Sequence, residues 1–423
     1  MITNRGNSMD TSFMNRREFV AGSTILAAHG ILRGQDQQFT VRAITREPGY
    51  HWFAYYDKLQ FDPTNRYVLG MKVSFQHRSP KPEDAIEVGM VDLGDNDRWI
   101  TLGSSKAWNW QQGCMLQWVP GSKTEVLWND REDKPEPHYV CRIMDVATKK
   151  VRTIPHPVYA ISPDGKTAIA ADFRRLNDTR PGYGYSGVPD PSLELAPKDS
   201  GIFKVDLATG SQKLIFSMAQ VAAFGEQTED MKGAKHWFNH LLFNTDGTRF
   251  IFLHRWRPTS GKASFKTRMF TASTDGKDLY VLDPSGETSH FIWRDPQHVL
   301  AWTQPKGMQP GFYLFKDRTS EVEQIGKGIM TQNGHCTYLP GNEWILNDTY
   351  PDKERLQHPY LFQVKTGKKI SLGDYLSPKE YTGEWRCDNH PRFSNDGRLV
   401  TFDSPHDGRG RQLYLIDISK IVR

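Results

Sequence analysis

The chain has 423 residues, of which 37% are hydrophobic and 12% aromatic, enough to bury a large core. Its 54 basic and 49 acidic residues leave a formal net charge of +5. So small a charge argues against a nucleic-acid-binding protein, which usually carries a concentrated basic stripe, but is compatible with a locally basic cleft for an acidic substrate. The four cysteines form no C-x-x-C pair, so we expect buried thiols and neither a disulfide framework nor a Cys-rich zinc site.

Residues 1–38 are predicted to precede the folded domain. The stretch Asn15-Arg16-Arg17-Glu18-Phe19-Val20 resembles a twin-arginine export signal, and the apolar run from Val20 to Leu32 is too short to span a bilayer. This pattern predicts a periplasmic or secreted protein with no stable membrane span. The alternative is an unstructured tail with a chance arginine pair.

From Phe39 onward the sequence predicts short strands arranged in a repeated motif. In each copy an apolar strand leads into an Asp-Gly turn, and a second apolar strand follows the turn. The turns of the clearest copies are Asp164-Gly165, Asp246-Gly247, Gly341-Asn342 and Asp396-Gly397. Repeats of roughly 40–50 residues with four short strands each are typical of β-propeller blades. We therefore predict an all-β, seven-bladed propeller of four-stranded blades, forming a single domain over residues 39–423. A spare strand near Val41 could complete the terminal blade and remove its open edge.

The blades are predicted to begin at Lys58, Met115, Tyr159, His240, His290, His335 and His390. Two long insertions interrupt the repeat, at residues 172–200 and 217–237, and the second could contain a short helix. Long loops on such a scaffold tend to carry function.

Histidine recurs at one phase of the repeat, six residues before the turn, in the last four blades. The four are His240, His290, His335 and His390, and the equivalent positions in the first three blades are Lys58, Met115 and Val158. Equivalent positions of successive blades ring the central channel, so we expect the four imidazoles to converge at one mouth, which favours a functional role. The histidines that share no phase are expected to be structural: His236, His254, His358 and His406.

A cation site is predicted beside two of these histidines. On an extended strand Asp388 and His390 would point the same way, and with His335 they would suit Mn²⁺, Ca²⁺ or Zn²⁺. Glu384 offers a further carboxylate nearby. Arg268 could bind a substrate carboxylate through two hydrogen bonds, the alternative being an ordinary surface arginine.

Two segments combine aromatic rings with polar groups, a mixture that suits sugar rings. One runs from Trp108 to Gln112, and the other contains the predicted substrate-binding residues His51, Tyr55, Tyr56, Asp57 and Lys58. The alternative is ordinary core packing.

With these residues in view, the chain resembles the oligogalacturonate lyases, seven-bladed propellers that act by metal-assisted β-elimination. The resemblance rests on His51 with Tyr55-Tyr56-Asp57-Lys58, on His240, on Arg268-Met269 before Thr274-Asp275-Gly276, on Ser289-His290-Phe291-Ile292-Trp293, on His335, and on Asp388-Asn389-His390-Pro391-Arg392-Phe393. It implies that His290 is the base, that Arg268 assists at the substrate carboxylate, and that His335 and His390 bind manganese. The family has histidine where this chain has Asp388, and a glutamine ligand near Trp385 for which Glu384 could substitute.

Our first hypothesis is accordingly a lyase acting on an acidic, uronic-acid-containing oligosaccharide. A divalent cation, most simply Mn²⁺, and Arg268 would bind the carboxylate, and His290 would take the C5 proton. The leaving oxygen would be protonated by water, Tyr55, Tyr56 or His240.

Two alternatives remain open. A glycoside hydrolase on the same scaffold would use Asp57, Glu384 or Asp388 as its acid and base. A noncatalytic propeller would bind a glycan or protein partner through the same residues.

Overall fold

Seven four-stranded antiparallel sheets follow one another along the described chain, which comprises residues 40–257 and 265–422 of a computed structural model. Each sheet is one blade of a β-propeller ring, so the predicted fold class is confirmed. The export signal predicted within residues 1–38 lies outside the described residues. None of the described helices is long and apolar enough to cross a membrane.

Blades 1 to 6 each take their strands from consecutive stretches of sequence. Blade 1 comprises Tyr50–Trp52, Tyr67–Val73, Ile86–Asp92 and Arg98–Ser105; blade 2, Gln117–Trp118, Glu125–Glu132, His138–Asp145 and Val151–Ile154; blade 3, Ala160–Ile161, Thr167–Ala171, Gly201–Asp206 and Gln212–Ser217. Blade 4 comprises Lys235–Phe243, Arg249–Arg257, Lys266–Ser273 and Leu279–Gly286; blade 5, Phe291–Asp295, His298–Thr303, Gly311–Lys316 and Val322–Ile325; blade 6, Thr337–Tyr338, Trp344–Asn347, Tyr360–Gln363 and Lys369–Ser371.

Blade 7 joins the two ends of the described chain. Its strands are Arg392–Phe393, Leu399–Ser404, Gln412–Asp417 and Val41–Ala43. The last of these is antiparallel to Gln412–Asp417, with Val41 opposite Ile416. The predicted closure by a strand near Val41 is therefore confirmed, and it pairs an edge that would otherwise be open.

Blade 1 departs from the prediction that it begins at Lys58. The strand Tyr50–Trp52 pairs with the far end of Tyr67–Val73, whereas Phe61 bridges to the near end at Val68. Residues 53–60 leave the sheet between these two pairings. The Asp403 carboxylate accepts the backbone N–H groups of Phe53 and Ala54, and Ala54 has a positive φ of 75°. This excursion carries Tyr55, Tyr56, Asp57 and Lys58 away from the sheet.

Helices occur in the insertions. Asp172 caps the helix Phe173–Thr179 by accepting the N–H of Arg174, and the helix Met218–Ala222 confirms the short helix predicted in the second insertion. The remaining elements are the 3₁₀ turns Glu229–Met231 and Gly383–Trp385 and a ribbon of Leu356–Gln357 with Tyr375–Leu376.

Aromatic packing holds neighbouring strands and blades together. Trp52, Trp108 and Trp110 are at most 1% exposed and lie 5.1–5.6 Å apart by ring centroid, so these tryptophans belong to the core. All four cysteines are buried and free, as predicted.

Candidate active site

The four phase-related histidines meet around the ring of Tyr56. Its centroid lies 5.6 Å from that of His240, 6.0 Å from His290, 5.4 Å from His335 and 6.4 Å from His390. The His335 ring is 4.2 Å from His290 and 4.1 Å from His390. All five side chains are buried. The convergence predicted from the repeat is therefore present.

Backbone geometry aims two of these rings. His240 and His390 have positive φ values of 51° and 42°, a left-handed conformation that is uncommon for residues other than glycine. At His240 the pairing register shifts within the strand Lys235–Phe243. Such strain tends to persist where function fixes it. The expected extended strand through Asp388 and His390 is corrected, because pairing begins only at Arg392.

His335, Asp388 and His390 nevertheless form a group that could hold a metal ion. One ligand atom of each lies within 4.8 Å of the others, and all three are buried. Two imidazoles and a carboxylate are a donor set compatible with Mn²⁺ or Zn²⁺. Arg386 Nε donates a hydrogen bond to Asp388 Oδ2 at 2.8 Å.

Asp348 organises two of these candidate ligands. Its Oδ1 lies 2.9 Å from His335 Nδ1 and accepts the His335 backbone N–H at 2.7 Å. Its Oδ2 accepts the backbone N–H of His390 at 3.1 Å. A carboxylate on one imidazole nitrogen is the usual partner of a metal-binding histidine, because it fixes the ring and leaves the other nitrogen for the metal.

His290 is held in a geometry suited to a base. Asn333 Nδ2 donates to Ser289, which turns Asn333 Oδ1 toward His290 Nδ1 at 3.0 Å. This acceptor favours the tautomer with its proton on Nδ1, which leaves a lone pair on Nε2, 3.4 Å from the Tyr350 hydroxyl. Burial, and after it the neighbouring His335, holds the pKa of His290 well below its usual value. The imidazole is therefore neutral at pH 7.

His240 belongs to a buried charged cluster. Its Nε2 lies 2.9 Å from Asp57 Oδ2, and the other Asp57 oxygen lies 2.9 Å from Lys58 Nζ. The ring stacks on Phe291 at 3.9 Å. Although burial acts to raise it, Lys58 and His240 together lower the pKa of Asp57 to about 2. Burial also keeps the pKa of His240 below its usual value, since it outweighs the attraction of Asp57.

The two tyrosines of the excursion have different surroundings. The Tyr56 hydroxyl donates to the Phe291 carbonyl at 2.8 Å and accepts the N–H of the same residue at 3.1 Å, which fixes its ring among the histidines. Tyr55 packs edge-on against His240 at 4.8 Å and reaches a cavity beside His290. Burial raises the pKa of both phenols, so both stay protonated.

That cavity has a volume of about 230 Å³. Its wall includes His290, three phenols and two guanidinium groups, contributed by Tyr55, Tyr183, Tyr350, Arg180 and Arg255. Arg386 Nη2 donates to the Tyr183 hydroxyl at 2.6 Å. Burial by itself would raise the pKa of Tyr183, but Arg180 and Arg386 together hold it below its usual value. The cavity thus combines a neutral base with hydroxyl groups and positive charge.

Arg268 lies on the other face of blade 4. In the ladder Arg268 is opposite His254 and Thr267 is opposite Arg255, and the latter pair lines the cavity. Since alternate residues of a strand point to opposite faces, Arg268 points away from it. Its guanidinium donates instead to the carbonyls of Val221, Phe224 and Glu226, and burial lowers its pKa to about 10. The structure therefore does not bring Arg268 to the cavity beside His290, although the sequence prediction placed both residues at the substrate.

Two other predicted residues lie apart from the histidine cluster. His51 Nδ1 lies 3.0 Å from Gln412 Oε1, its ring is 5.0 Å from Trp99, and burial lowers its pKa to about 4. Glu384 is on the turn Gly383–Trp385 and lines a separate cavity with Trp108. Within the described residues, the group able to hold a metal contains Asp388 but not Glu384.

Several residues of the site escaped sequence reasoning. Asp348 carried a usable signal, because it follows Gly341 by seven residues as Asp403 follows Asp396. Asp403 likewise accepts backbone N–H groups of the next blade around the ring, at Phe53 and Ala54. Others had no repeat signal: Asn333, Tyr350, Tyr183, Arg180 and Arg255 reach the site from loops or from strand faces that only the fold defines.

Comparison with known proteins finds likeness in structure. No family model and no curated protein matches the chain. An oligogalacturonate lyase from Vibrio parahaemolyticus is 14% identical with a TM-score of 0.63, covering 90% of this chain and 94% of that chain. An oligogalacturonate lyase in complex with manganese is 16% identical with a TM-score of 0.64 and the same coverage. The tricorn protease is 12% identical with a TM-score of 0.51, covering 89% of this chain and 35% of that chain.

The shared property is the propeller fold. At these identities the likeness shows architecture, and it bears out the resemblance to oligogalacturonate lyases that the sequence motifs indicated.

Proposed function

We propose that this protein is a lyase that cleaves uronic-acid-containing oligosaccharides by β-elimination, with a divalent cation bound by His335, Asp388 and His390. The observation that carries the proposal is the position of a neutral, buried histidine directly beside these three residues, His290 being 4.2 Å from His335 by ring centroid. The neighbouring lyase of similar fold was solved in complex with manganese, which favours Mn²⁺ as the first metal to try.

A cation held by these residues would supply Lewis acidity, which stabilises the charge that develops on a uronate carboxylate when the adjacent C5 loses its proton. His290 accepts that proton at Nε2, because Nδ1 already carries one and faces Asn333. The electrons of the C5–H bond form the C4–C5 double bond. The C4–O bond breaks, and its electron pair stays on the leaving oxygen.

The leaving oxygen then needs a proton. The phenols of Tyr55, Tyr183 and Tyr350 line the cavity that contains His290. The hydroxyl of Tyr56 and the Nε2 of His240 are both engaged in hydrogen bonds, to Phe291 and Asp57. A cavity phenol is therefore the better donor, and Tyr56 and His240 instead position the surrounding rings.

The hydrolase alternative requires two carboxyl groups on opposite sides of one glycosidic bond. Asp57 is buried with Lys58 and His240, Asp388 belongs to the candidate metal group, and Glu384 lines another cavity. These separate surroundings favour elimination over hydrolysis.

The deciding experiment incubates the protein with Mn²⁺ and oligogalacturonate and follows ultraviolet absorbance of the unsaturated product. We expect absorbance to rise with wild type and to fall by about 10²–10⁴-fold in rate with His290→Ala, since a positioned base contributes that much. The matched control is His298→Asn, because His298 is a partly buried histidine of the same blade that pairs with Asp295. New reducing ends without absorbance would indicate a hydrolase, and binding without either product a noncatalytic propeller.

A further inference from the structure

Among the three phenols of the described cavity wall, Tyr183 alone accepts a hydrogen bond from a guanidinium group, at 2.6 Å from Arg386 Nη2. Its side chain is 7% exposed. The phenol oxygen is the acceptor in this bond, so the hydroxyl keeps its own proton to donate, and no described residue accepts that proton. The O–H group of Tyr183 is therefore available to an oxygen atom of a ligand in the cavity.

Two glycines hold Tyr183 against the helix Phe173–Thr179. Gly182 has a positive φ of 93°, a conformation that glycine adopts without steric cost. A Cβ atom on Gly184 would lie 2.1 Å from the backbone nitrogen of Asn177, so this close approach requires glycine. The loop thus fixes the position of the phenol relative to the cavity, and a group that transfers a proton needs such a fixed position.

Arg386 is itself held at three nitrogen atoms. Besides the bond from Nη2 to Tyr183, Nε donates to Asp388 Oδ2 at 2.8 Å and Nη1 donates to the Gly383 carbonyl at 3.2 Å. A second guanidinium, that of Arg180, packs with its Cζ 3.8 Å from the centroid of the Tyr183 ring. Burial acts to raise the pKa of Tyr183, but Arg180 and Arg386 together outweigh it. Both cations therefore stabilise the phenolate that remains when Tyr183 gives up its proton.

The other two phenols of the cavity wall are less suited to proton donation. The Tyr350 hydroxyl lies 3.4 Å from His290 Nε2, so it faces the lone pair that takes the C5 proton. The Tyr55 ring packs 4.8 Å from that of His240 and 5.0 Å from that of Tyr56. Burial raises the pKa of both Tyr350 and Tyr55 above its usual value. Since a raised pKa makes a phenol a weaker acid, Tyr183 is the strongest proton donor of the three.

We propose that Tyr183 is the general acid that protonates the leaving oxygen, and that Arg386 is a positioning residue that holds the Tyr183 hydroxyl and stabilises its phenolate. This inference rests on the proposed function and assigns a further catalytic residue to the same site. As the C4–O bond breaks, the electron pair on the leaving oxygen takes the proton from Tyr183 Oη, and the negative charge stays on Tyr183 beside Arg386. Tyr183 then regains a proton from water and His290 gives the C5 proton to water, so the protein is unchanged after each cycle.

Dependence on the leaving group tests this role. Wild type and Tyr183→Phe, both loaded with Mn²⁺, are compared on two substrates. In oligogalacturonate the leaving sugar oxygen needs a proton, whereas in a methyl galacturonoside that carries 4-nitrophenol on O4 the nitrophenolate leaves without one. Absorbance of the unsaturated product follows the first reaction, and absorbance of nitrophenolate follows the second.

Tyr185→Phe is the matched control. Tyr185 lies two residues further along the same insertion, and its hydroxyl accepts a hydrogen bond from Asn129 Nδ2 at 2.9 Å. Asn129 Nδ2 also donates to the Val158 carbonyl at 2.7 Å, so the substitution leaves it with a partner. Tyr185→Phe therefore removes a phenol oxygen from the insertion but not from the cavity wall.

We expect Tyr183→Phe to lower kcat on oligogalacturonate by about 10²–10⁴-fold and on the nitrophenyl substrate by less than about tenfold, because only the sugar oxygen depends on an acid. Retained turnover of the nitrophenyl substrate also shows that the variant is folded. Tyr185→Phe should match wild type on both substrates. An equal loss on both substrates, or an undiminished rate on oligogalacturonate, would overturn the role of Tyr183.

Arg386 provides a second variant. At saturating Mn²⁺, Arg386→Met should lower the ratio of kcat on oligogalacturonate to kcat on the nitrophenyl substrate by about tenfold, because the phenolate loses a hydrogen bond to a charged group. Arg386→Lys, which keeps the positive charge, should restore part of this ratio. If Arg386 served only the candidate cation site through Asp388, both rates would fall alike, and the unchanged ratio would overturn its positioning role.

Failure of this inference is distinguishable from failure of the proposed function. His290→Ala should lower both rates, because the base acts on both substrates. Wild type that turns over both substrates, with an unchanged ratio in Tyr183→Phe, would overturn the acid and leave the lyase. Wild type that forms unsaturated product from neither substrate would overturn the lyase and the acid together.

Discussion

The Asp348 carboxylate holds both the backbone and the ring of His335: its Oδ1 accepts the backbone N–H of His335 at 2.7 Å and lies 2.9 Å from the ring Nδ1. Because Oδ2 also accepts the N–H of His390, one carboxylate sets the positions of two candidate metal ligands on neighbouring blades. The site is thereby preorganised before any cation binds.

Removal of these ligands should abolish stabilisation by metal. With Mn²⁺ at about a hundred times its Kd, wild type should gain about 2.7 kcal/mol in free energy of unfolding, and His335→Ala or His390→Ala should gain almost none. Asp348→Asn should weaken Mn²⁺ binding by about 10–100-fold, since it perturbs a ligand indirectly. Thermal denaturation with and without Mn²⁺ measures this, with His298→Asn as control. A full metal-induced shift in His390→Ala would contradict the assigned site.

The pair Asp57–Lys58 should be essential for stability. Both side chains are at most 3% exposed, so Asp57→Asn leaves an uncompensated buried ammonium and should cost about 3–5 kcal/mol of free energy of unfolding. Replacing both, as in Asp57→Asn with Lys58→Met, should recover part of that loss. Urea denaturation of the two variants gives the comparison, and equal stability of the two would show that the ion pair is not the cause.

Arg268 should act on the second insertion rather than on substrate. Its guanidinium satisfies three backbone carbonyls there, so Arg268→Gln should cost about 1–3 kcal/mol for each carbonyl left without a partner. Residues 217–237 should become more sensitive to limited proteolysis, while KM for oligogalacturonate stays near that of wild type. A large rise in KM with unchanged sensitivity to proteolysis would instead indicate that Arg268 binds substrate.

His358 should make stability depend on pH. Although partial burial opposes it, hydrogen bonds to Asp374 and Asp352 at 2.7 Å and 3.1 Å raise the pKa of His358. A group whose pKa is raised by folding stabilises the protein below its unfolded pKa of about 6.5, and this contribution is lost as pH rises through the folded value. His358→Gln should therefore destabilise by up to about 1 kcal/mol at pH 5.5 and by less at pH 8.5 in urea denaturation. An equal effect at both pH values would exclude the ion pairs as the source.

Export is also open to direct test. We propose that the Arg16-Arg17 pair directs transport to the periplasm, so a reporter fused after residue 38 should appear there. Arg16→Lys with Arg17→Lys should retain it in the cytoplasm, because the change keeps the charge and alters only the recognised pair. Unchanged export of the double variant would point to another signal.

Repeat phase was the most informative signal in the sequence. It located His240, His290, His335 and His390 at one position of successive blades, because a propeller turns a period in sequence into a ring in space. The repeat also contains a signal for Asp348, because Asp348 and Asp403 occupy equivalent positions at the end of the second strand in blades 6 and 7. Arg268 shows what repeat phase and motifs do not predict. They placed Arg268 on a strand of blade 4, but they did not show that its side chain points to the face covered by the second insertion.

The amino-acid sequence by itself determined the blade count, the closing strand near Val41 and the gathering of the histidines, because each follows from periodicity along the chain. Only the tertiary structure decided which charged groups accompany them. Arg180 comes from an insertion and Arg255 from the second strand of blade 4, and their meeting around Phe265 depends on contacts between segments far apart in sequence. Local pattern fixes elements, whereas the chemistry of a cavity depends on which side chains different elements bring to it.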